Sequence, residues 1–372
     1  MKEVKGIYGS AKISTDQVEP YALAQIQMIC DNEVSKESKI RIMPDVHPGK
    51  VGPIGLTMTV KKRVLPNLIG ADIGCGVTAA VIKKQKVDGQ KLDTVIRERI
   101  PSGFAVRKKV HRFYEDLNLD NLRCIRHINR EKTAVSLGTL GGGNHFIEVD
   151  QDSEGKIYVT VHSGSRHLGQ EVTEYYLREG QRKLKEDGIQ VPYEMTYLEG
   201  ALMRDYLHDL QVVQKYADLN RRAILDELGK GMKWKPEEIL SCIHNYIEDT
   251  AEDGILRKGA ISAKKGEPVL IPINMKEGIL LGTGKGDGEW NFSAPHGAGR
   301  LMNRETVRQR FTVSDYKKQM KGIYTTCIGK DTLDEAPFAY RCMDDIKKNI
   351  VDTVDIKEIL MPVYNYKAGG RA

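Results

Sequence analysis

The stretch LPNLIGADIGCGVTAAVI, residues 65–82, alternates short apolar runs with glycine and proline. The preceding stretch, IRIMPDVHPGKVGPIGLTMTV at residues 40–60, repeats this pattern. Short apolar runs rich in β-branched residues are typical of strands, and the glycines and prolines between them are typical of tight turns. We therefore expect residues 40–82 to form short strands joined by tight turns.

Helical and strand patterns alternate along the rest of the chain. Residues 88–100 and roughly 170–228 have apolar residues at helical spacing, and the longer stretch is broken near Gly188–Pro192. Residues 134–164 and 257–300 return to strands and glycine-rich turns. This mixture predicts an α+β fold, with central β-sheets flanked by helices.

The bulk properties favour a single soluble domain. The 372 residues, 1–372, contain no internal repeat or linker. No apolar run approaches the roughly 20 residues of a membrane span, and the N-terminus lacks a secretory core, so we expect a cytoplasmic protein. A net charge of +6 permits a nucleic-acid partner without requiring one. The cysteines include no CxxC pair, which argues against a zinc ribbon.

Five side chains at turns are candidate metal ligands. Asp72 and Cys75 are three residues apart, His145 follows three glycines, His162 ends a β-branched strand, and His244 precedes an asparagine. Taken singly, each also fits a tight turn, a buried cysteine or a packed histidine. Together, thiolate, carboxylate and imidazole suit zinc, manganese, iron or cobalt. The set fits one crowded ion or two bridged ions, and a two-ion site suits phosphoryl chemistry.

A candidate nucleophile lies in SAPHGAGR, residues 293–300. The glycines after His296 let the backbone approach a ligand closely. Neutral imidazole is a competent nucleophile near pH 7, and Arg300 and Arg304 are suited to bind phosphate. A glycine turn with a packed histidine explains the same residues.

Two further patterns have weaker implications. GILLGTGKGDGEW, residues 278–290, is not a P-loop, because Ile279 replaces the first glycine and Gly286 the serine or threonine. Residues 106–133 are rich in cations and fit either an RNA-contacting surface or a solvated helix face. Arg107, Arg126 and Arg130 are the candidate RNA contacts there.

Eight motifs together resemble the RtcB family of RNA ligases. They run in order from about residue 40 to the C-terminus: PDVHPGK (44–50), DIGCGV (72–77), LGTLGGGNHFIEV (137–149), VHSGSR (161–166), HNY (244–246), RKGAISAKKGEPVLIP (257–272), HGAGR (296–300) and DEAPFAYR (334–341). The resemblance implies an RtcB-like fold, a centre of two Mn²⁺ ions, and GTP as the energy source.

The resemblance also implies roles for individual residues. Cys75 would bridge the two ions, Asp72 and His145 would complete one site, and His162 and His244 the other. His296 would attack the α-phosphate of GTP and carry GMP. The implied contacts to the nucleotide are Asn144, Glu148, Asn245, Asn274, Gly297, Ala298, Gly299 and Lys367, with Glu148 and Lys367 reading the guanine. RNA phosphates would meet Arg166, Arg300 and Arg304, and Asp45 would lie behind the site or on its substrate side.

The implied reaction joins an RNA 3′-phosphate, or a 2′,3′-cyclic phosphate after hydrolysis, to a 5′-hydroxyl. A monomer and a possible archease-type helper are further expectations. One departure concerns nucleotide binding, because residues 272–276 read PINMK where the family usually has PGSMG. Two alternatives remain: a metal-dependent cyclic phosphodiesterase without ligation, and an RNA-binding protein without turnover.

Overall fold

The structure, a computed structural model, describes residues 2–248 and 254–368. Strands and helices alternate throughout these residues. The strands, in chain order, are β1 (Lys2–Lys5), β2 (Ser10–Ile13), β3 (Ile40–His47), β4 (Ile54–Val60), β5 (Arg63–Val64), β6 (Gly76–Ile82), β7 (Phe146–Gln151), β8 (Ile157–Ser163), β9 (Leu198–Glu199), β10 (Glu238–Ile243), β11 (Asn245–Glu248), β12 (Gly254–Lys258), β13 (Ala260–Ser262), β14 (Pro268–Asn274), β15 (Gly278–Gly284), β16 (Ser293–Pro295) and β17 (Val354–Lys367).

Helices connect and cover these strands. The α-helices are α1 (Pro20–Cys30), α2 (Pro66–Ile69), α3 (Gly89–Arg99), α4 (Arg130–Ser136), α5 (Arg166–Glu186), α6 (Gly200–Met232), α7 (Arg304–Arg310), α8 (Val313–Gln319) and α9 (Met343–Asn349). Short 3₁₀ helices cover Glu33–Ser35, Arg112–Asp116, Leu119–Asn121, Ile125–His127, Tyr193–Met195, Gly288–Trp290, Lys330–Glu335 and Pro337–Ala339.

The described strands form two large sheets. One sheet has the order β1-β2-β3-β4-β12-β11, in which only the β2–β3 pair is parallel. The other has the order β10-β6-β8-β7-β17-β15-β14 and is antiparallel throughout. The pairs β13–β16 and β5–β9 form smaller sheets. These sheets and helices confirm the predicted α+β class.

The centre of the seven-stranded sheet is buried on both faces. Every residue of β6 (GVTAAVI) and of β8 (IYVTVHS) is buried. Continuous β-branched and apolar runs are expected for strands without a solvent face. Helices α3 and α6 contribute apolar side chains to one face, and β13, β14, β15 and α9 contribute to the other. This buried layer carries several of the candidate ligands at one end of its strands.

The helix predictions have a mixed outcome. Helix α3 confirms the prediction for 88–100, and α5 and α6 confirm the long helical stretch with its break. Of the two alternatives for 106–133, the helix face does not hold before α4 begins at Arg130. The backbone there forms short 3₁₀ helices before α4, and new elements begin at side-chain caps: Asn118 caps Leu119–Asn121, and Asn129 caps α4. No helix within 2–248 and 254–368 is long and apolar enough to cross a membrane.

Candidate metal centre and nucleotide cavity

The five candidate metal ligands converge at the ends of β6, β8 and β10. His145 precedes β7, His244 lies between β10 and β11, and Cys75 precedes β6. The Cys75 Sγ lies 3.5 Å from His145 Nε2 and 3.3 Å from His162 Nε2. His162 Nε2 is 3.4 Å from His244 Nε2, and Asp72 Oδ2 is 3.1 Å from His145 Nε2. Residues distant in sequence thus direct their donor atoms at one point.

Backbone carbonyls orient two of the imidazoles. His145 Nδ1 donates to the Leu140 carbonyl at 2.9 Å, and His162 Nδ1 donates to the Asn144 carbonyl at 3.2 Å. A ring whose Nδ1 carries the proton has its lone pair on Nε2. Both Nε2 atoms face Cys75, which is how histidines that bind metal are usually arranged.

The local electrostatics also suit a cation. Burial lowers the pKa of His162 and of His244, which keeps both imidazoles neutral and able to bind metal. Burial, and then the charge of Asp72, raises the pKa of the Cys75 thiol. Although burial opposes it, the neighbouring His145 and the charge of Arg166 hold the pKa of Asp72 below its usual range. A divalent ion would reverse the effect on Cys75, because a coordinating thiol is deprotonated.

The donors divide into two groups that share Cys75. Asp72, Cys75 and His145 form one group, and Cys75, His162 and His244 form the other, with the ligand atoms of each group within 4.8 Å of one another. Both donor sets combine sulfur and nitrogen, and the first adds a carboxylate oxygen, which suits a borderline divalent ion. The residues therefore fit metal binding, and Cys75 belongs to both groups.

Close backbone packing explains the glycines around these ligands. Gly74, between Asp72 and Cys75, has φ +70°, and a Cβ there would lie 2.9 Å from the Ala217 Cβ of α6. A Cβ on Gly164 would lie 2.0 Å from Asp72 Oδ1. Side chains at either position would displace Asp72 or α6.

Two buried residues of α6 hold the ligand-bearing loops and were not anticipated from the sequence. The Arg221 guanidinium donates to the carbonyls of Gly74 and Ser163, at 2.7 and 3.0 Å. Asn220 accepts from the Gly138 amide at 2.7 Å and donates to the Gly164 carbonyl at 3.1 Å. In the sequence both residues look like ordinary polar positions on a helix, so only the tertiary contacts reveal this role.

His296 lies beside the metal-ligand cluster. Its ring centroid is 4.7 Å from that of His244. Its Nδ1 donates to Asp45 Oδ2 at 2.6 Å, and its backbone N–H donates to the same oxygen at 3.2 Å. Asp45 is 0% exposed, so this carboxylate fixes the ring and leaves the lone pair on Nε2.

A cavity of about 380 Å³ opens beside His296 and the cluster. Most of the residues predicted to contact the nucleotide line it. They are Asn144, Glu148, Asn274, Gly297, Ala298, Gly299 and Lys367. The predicted phosphate-binding residues Arg300 and Arg304 also line it, together with His162, His244 and His296.

Three predicted contacts are placed differently from the rest. Asn245 is not among the cavity-lining residues in the described part of the chain, because its side chain bonds to the Gly259 amide and the Asp72 carbonyl. Asn274 lines the cavity, but its side-chain oxygen accepts from the amides of its own turn. Arg166 lies outside the cavity lining, with Nη1 3.3 Å from His145 Nδ1, beside the metal ligands.

The cavity lining also includes four ionisable residues that were not assigned a role from the sequence: His47, Lys50, Glu335 and Tyr340. Burial lowers the pKa of His47 to about 4. Glu335 accepts from Lys367 Nζ at 2.7 Å and from Arg300 Nη1 at 3.3 Å. The motifs PDVHPGK and DEAPFAYR contain all four residues, but nothing in their spacing indicates that these side chains meet.

A third cluster resembles a metal site but is already neutralised. His111, Asp226 and Glu227 place their donor atoms within 4.8 Å of one another. Lys230 lies 2.5 Å from Asp226, and Arg107 lies 3.1 Å from Glu227. Cations of the protein already pair with both carboxylates, so this cluster is a buried ion-pair network. Because Arg107 belongs to it, that arginine is less available to RNA than the sequence suggested.

The comparisons with known proteins point to one family. A family model described as tRNA-splicing ligase RtcB matches residues 27–368. The chain belongs to the RtcB family. The RNA-splicing ligase RtcB1 of Escherichia coli (strain ATCC 25922) is 30% identical over 358 residues, which cover 85% of this chain and 87% of that protein. The tRNA-splicing ligase RtcB of Archaeoglobus fulgidus is 28% identical over 401 residues, covering 82% of each. The tRNA-splicing ligase RtcB of Aeropyrum pernix is 26% identical over 402 residues, covering 82% of each.

Proposed function

We propose that this RtcB-family chain is a GTP-dependent RNA ligase that joins RNA 3′-phosphate ends to 5′-hydroxyl ends in RNA repair or splicing. The observation that carries the proposal is the position of His296. Its Nδ1 is held by the buried Asp45, and its ring lies against the candidate metal ligand His244 at the cavity wall. A nucleophile with a fixed tautomer, next to a potential cation site, suits attack on a phosphoryl group.

In the first step His296 takes GMP from GTP. The Nε2 lone pair attacks the α-phosphorus, a P–N bond forms, and the bond to the bridging oxygen breaks, which releases pyrophosphate. Asp45 accepts the hydrogen bond of Nδ1–H throughout, so it stabilises the positive charge that develops on the ring. Gly297 and Gly299 let the backbone approach the nucleotide closely.

The next two steps transfer GMP and seal the RNA. An oxygen of the RNA 3′-phosphate attacks the phosphorus on His296, the P–N bond breaks, and the lone pair returns to Nε2. The 5′-hydroxyl then loses its proton to solvent and attacks the activated 3′-phosphate, a phosphodiester forms, the P–O bond to GMP breaks, and GMP leaves. A 2′,3′-cyclic end is first opened by water. Arg166, whose Nη1 lies 3.3 Å from Nδ1 of the candidate ligand His145, would bind an RNA phosphate.

Asp72, Cys75, His145, His162 and His244 would hold two Mn²⁺ ions bridged by Cys75. When bound, the ions would neutralise phosphoryl charge and orient the reacting oxygens. The donor set supports a borderline divalent metal, and manganese in particular is part of the proposal.

The nucleotide base would lie at the end of the cavity formed by Glu148, Phe146 and Lys367. Arg300 and Arg304, near the glycines after His296, would meet the phosphates. Both arginines are also bound to Glu335, so the cavity keeps its cations in place before a ligand arrives. Asn274 contributes through the turn that it stabilises. A monomeric state and an archease-type helper stay predictions.

The decisive experiment is covalent labelling. Purified protein is incubated with Mn²⁺ and α-³²P-GTP, denatured and separated on a gel. We expect acid-labile label on the wild-type protein and none on His296→Ala. His208→Ala is the matched control, because this α6 histidine bonds to the Asn121 carbonyl, does not line the cavity, and should leave labelling intact.

A wild-type protein that binds manganese, as shown by elemental analysis, and yet takes no label would contradict the ligase mechanism. Hydrolysis of a 2′,3′-cyclic end by that same protein would then favour the phosphodiesterase. Label that persists in His296→Ala would contradict the choice of nucleophile while leaving self-guanylylation in place.

A further inference from the structure

Two carboxyl groups lie side by side behind the cavity wall. Glu148 and Asp150 are two residues apart on β7, so their side chains project from the same face of the sheet. Glu148 is 3% exposed and Asp150 is 0% exposed. The two side chains are in hydrogen-bonding contact with each other. Two ionised carboxylates cannot stay in buried contact, so the pair holds a proton between them.

The surroundings place that proton on Asp150. Its Oδ1 accepts from no donor within the described residues, and its Oδ2 has only the Thr160 hydroxyl at 3.5 Å. The neighbouring position on β17 is Pro362, which has no N–H to offer. An ionised Asp150 would leave lone pairs buried and unsatisfied, whereas a neutral Asp150 donates its O–H to Glu148. Burial, and then the charge of Glu148, raises the pKa of Asp150.

Glu148 has the partners that an ionised carboxylate needs. The Asn365 side-chain amide donates to its Oε2, and the positive charge of Lys367 lies close by. These contacts oppose burial, which raises the pKa of Glu148 to about 7. Glu148, Asn365 and Lys367 all line the cavity, whereas Asp150 is not among the cavity-lining residues of the described chain. Glu148 thus presents an acceptor to the ligand in the cavity, and Asp150 holds the shared proton outside the cavity.

We propose that Asp150 is a positioning residue for base recognition: it donates a hydrogen bond to Glu148 and so keeps Glu148 an ionised acceptor for the N1–H and 2-amino group of guanine. The inference rests on the proposed function, because it requires a guanine nucleotide in this cavity. Ionised Glu148 can accept both guanine donors, whereas adenine presents an acceptor at N1 and has no 2-amino group. Asp150 therefore contributes to the preference for GTP without touching it.

The test compares two substitutions of Asp150 in a His296→Ala background, where nucleotide binds without reacting. Isothermal titration calorimetry measures the dissociation constants of GTP and of inosine triphosphate, which lacks the 2-amino group. Asp150→Asn keeps a donor toward Glu148, so we expect GTP affinity within about 3-fold of the parent. Asp150→Leu keeps the volume but removes the donor, so we expect GTP affinity to fall roughly 10-fold or more.

Selectivity separates this role from a merely structural one. The ratio of GTP to inosine triphosphate affinity should fall in Asp150→Leu and be restored in Asp150→Asn. With His296 intact, the guanylylation rate of Asp150→Leu at saturating GTP should match the wild type, so that only the KM for GTP rises. Circular dichroism confirms that each variant is folded.

Equal selectivity in all three proteins would overturn the inference, and so would an Asp150→Asn protein that behaves like Asp150→Leu. If neither Asp150 variant folds, the Asn365→Leu protein provides a second test. Removing the other donor to Glu148 should lower the ratio of GTP to inosine triphosphate affinity, and an unchanged ratio overturns the inference. Wild-type protein that binds GTP selectively but takes no covalent label would contradict the proposed function while leaving this inference in place. No GTP binding at all would overturn both.

Discussion

Asp45 determines which nitrogen of His296 can react. Its Oδ2 accepts from the ring Nδ1 and from the backbone N–H of His296, and the side chain is fully buried. In Asp45→Asn an amide replaces the carboxylate, so the ring loses its charged partner and the tautomer that exposes the Nε2 lone pair. We expect the rate of covalent labelling with α-³²P-GTP to fall about 100-fold or more, while manganese binding is retained.

Asp209→Asn is the matched control for this prediction. Asp209 is equally buried and accepts from the Arg123 amide and the Tyr176 hydroxyl, on the helical side of the molecule. Its substitution should lower the thermal midpoint without slowing labelling of the folded protein. Equal labelling rates for Asp45→Asn and the wild type would show that the contact has no chemical role.

The 3₁₀ helix Lys330–Glu335 is held to α7 and β17 by buried charge. Glu335 is 3% exposed and lies against Arg300, Arg304 and Lys367. Burial alone would raise the pKa of Glu335, but Lys367, Arg304 and Arg300 lower it to about 2 from an ordinary 4.5. A carboxyl with a lowered pKa in the folded state stabilises the protein above pH 4.5, and this contribution is lost as the pH falls toward 2.

We therefore expect Glu335→Gln to lower the free energy of unfolding by about 3 to 5 kcal/mol at pH 7, because three cations lose their shared partner. The difference from the wild type should shrink as the pH falls below 4.5, as measured by urea denaturation at a series of pH values. Glu289→Gln is the control, because that carboxylate pairs with Lys12 and Arg41 but is 45% exposed, and should cost less than about 1 kcal/mol. A pH-independent difference for Glu335→Gln would contradict the assignment.

Some of these strands could be predicted from the sequence, whereas their pairing could not. The strands β6 and β8 were predictable because continuous β-branched runs end at glycine turns, and their ends carry Cys75 and His162. The placement of Lys367 opposite Phe146 depends on the long strand β17 and a register shift between Pro362 and Tyr364. No local pattern encodes that pairing, so the resemblance to a family was needed to assign Lys367. Within the cation-rich stretch at 106–133, the sequence did not indicate that Arg107 is bound to Glu227, because the two residues are 120 positions apart in the chain.

Across the whole molecule, the candidate metal ligands connect segments that are far apart in the chain. Asp72 and Cys75 belong to the N-terminal part, His145 and His162 lie on the seven-stranded sheet, and His244 joins β10 of that sheet to β11 of the six-stranded one. The ligand atoms are in place. Without a cation, however, the contacts of the neutral imidazoles and the thiol offset little of the free-energy cost of burying these polar groups. An ion that binds only the folded state should therefore stabilise both sheets together.

We expect Mn²⁺ at about 100 times its dissociation constant to raise the thermal midpoint of the wild-type protein by about 5 °C, as measured by calorimetry after removal of metal with a chelator. Cys75→Ala should lose most of this rise, because both ligand groups share its sulfur. Cys124→Ala, which removes an equally buried thiol far from the cluster in sequence, should lower the starting midpoint but retain the rise. If the rise persists in Cys75→Ala, the stabilising ion binds elsewhere. If millimolar Mn²⁺ does not change the thermal midpoint of the wild-type protein, the convergent ligands do not couple this metal to folding.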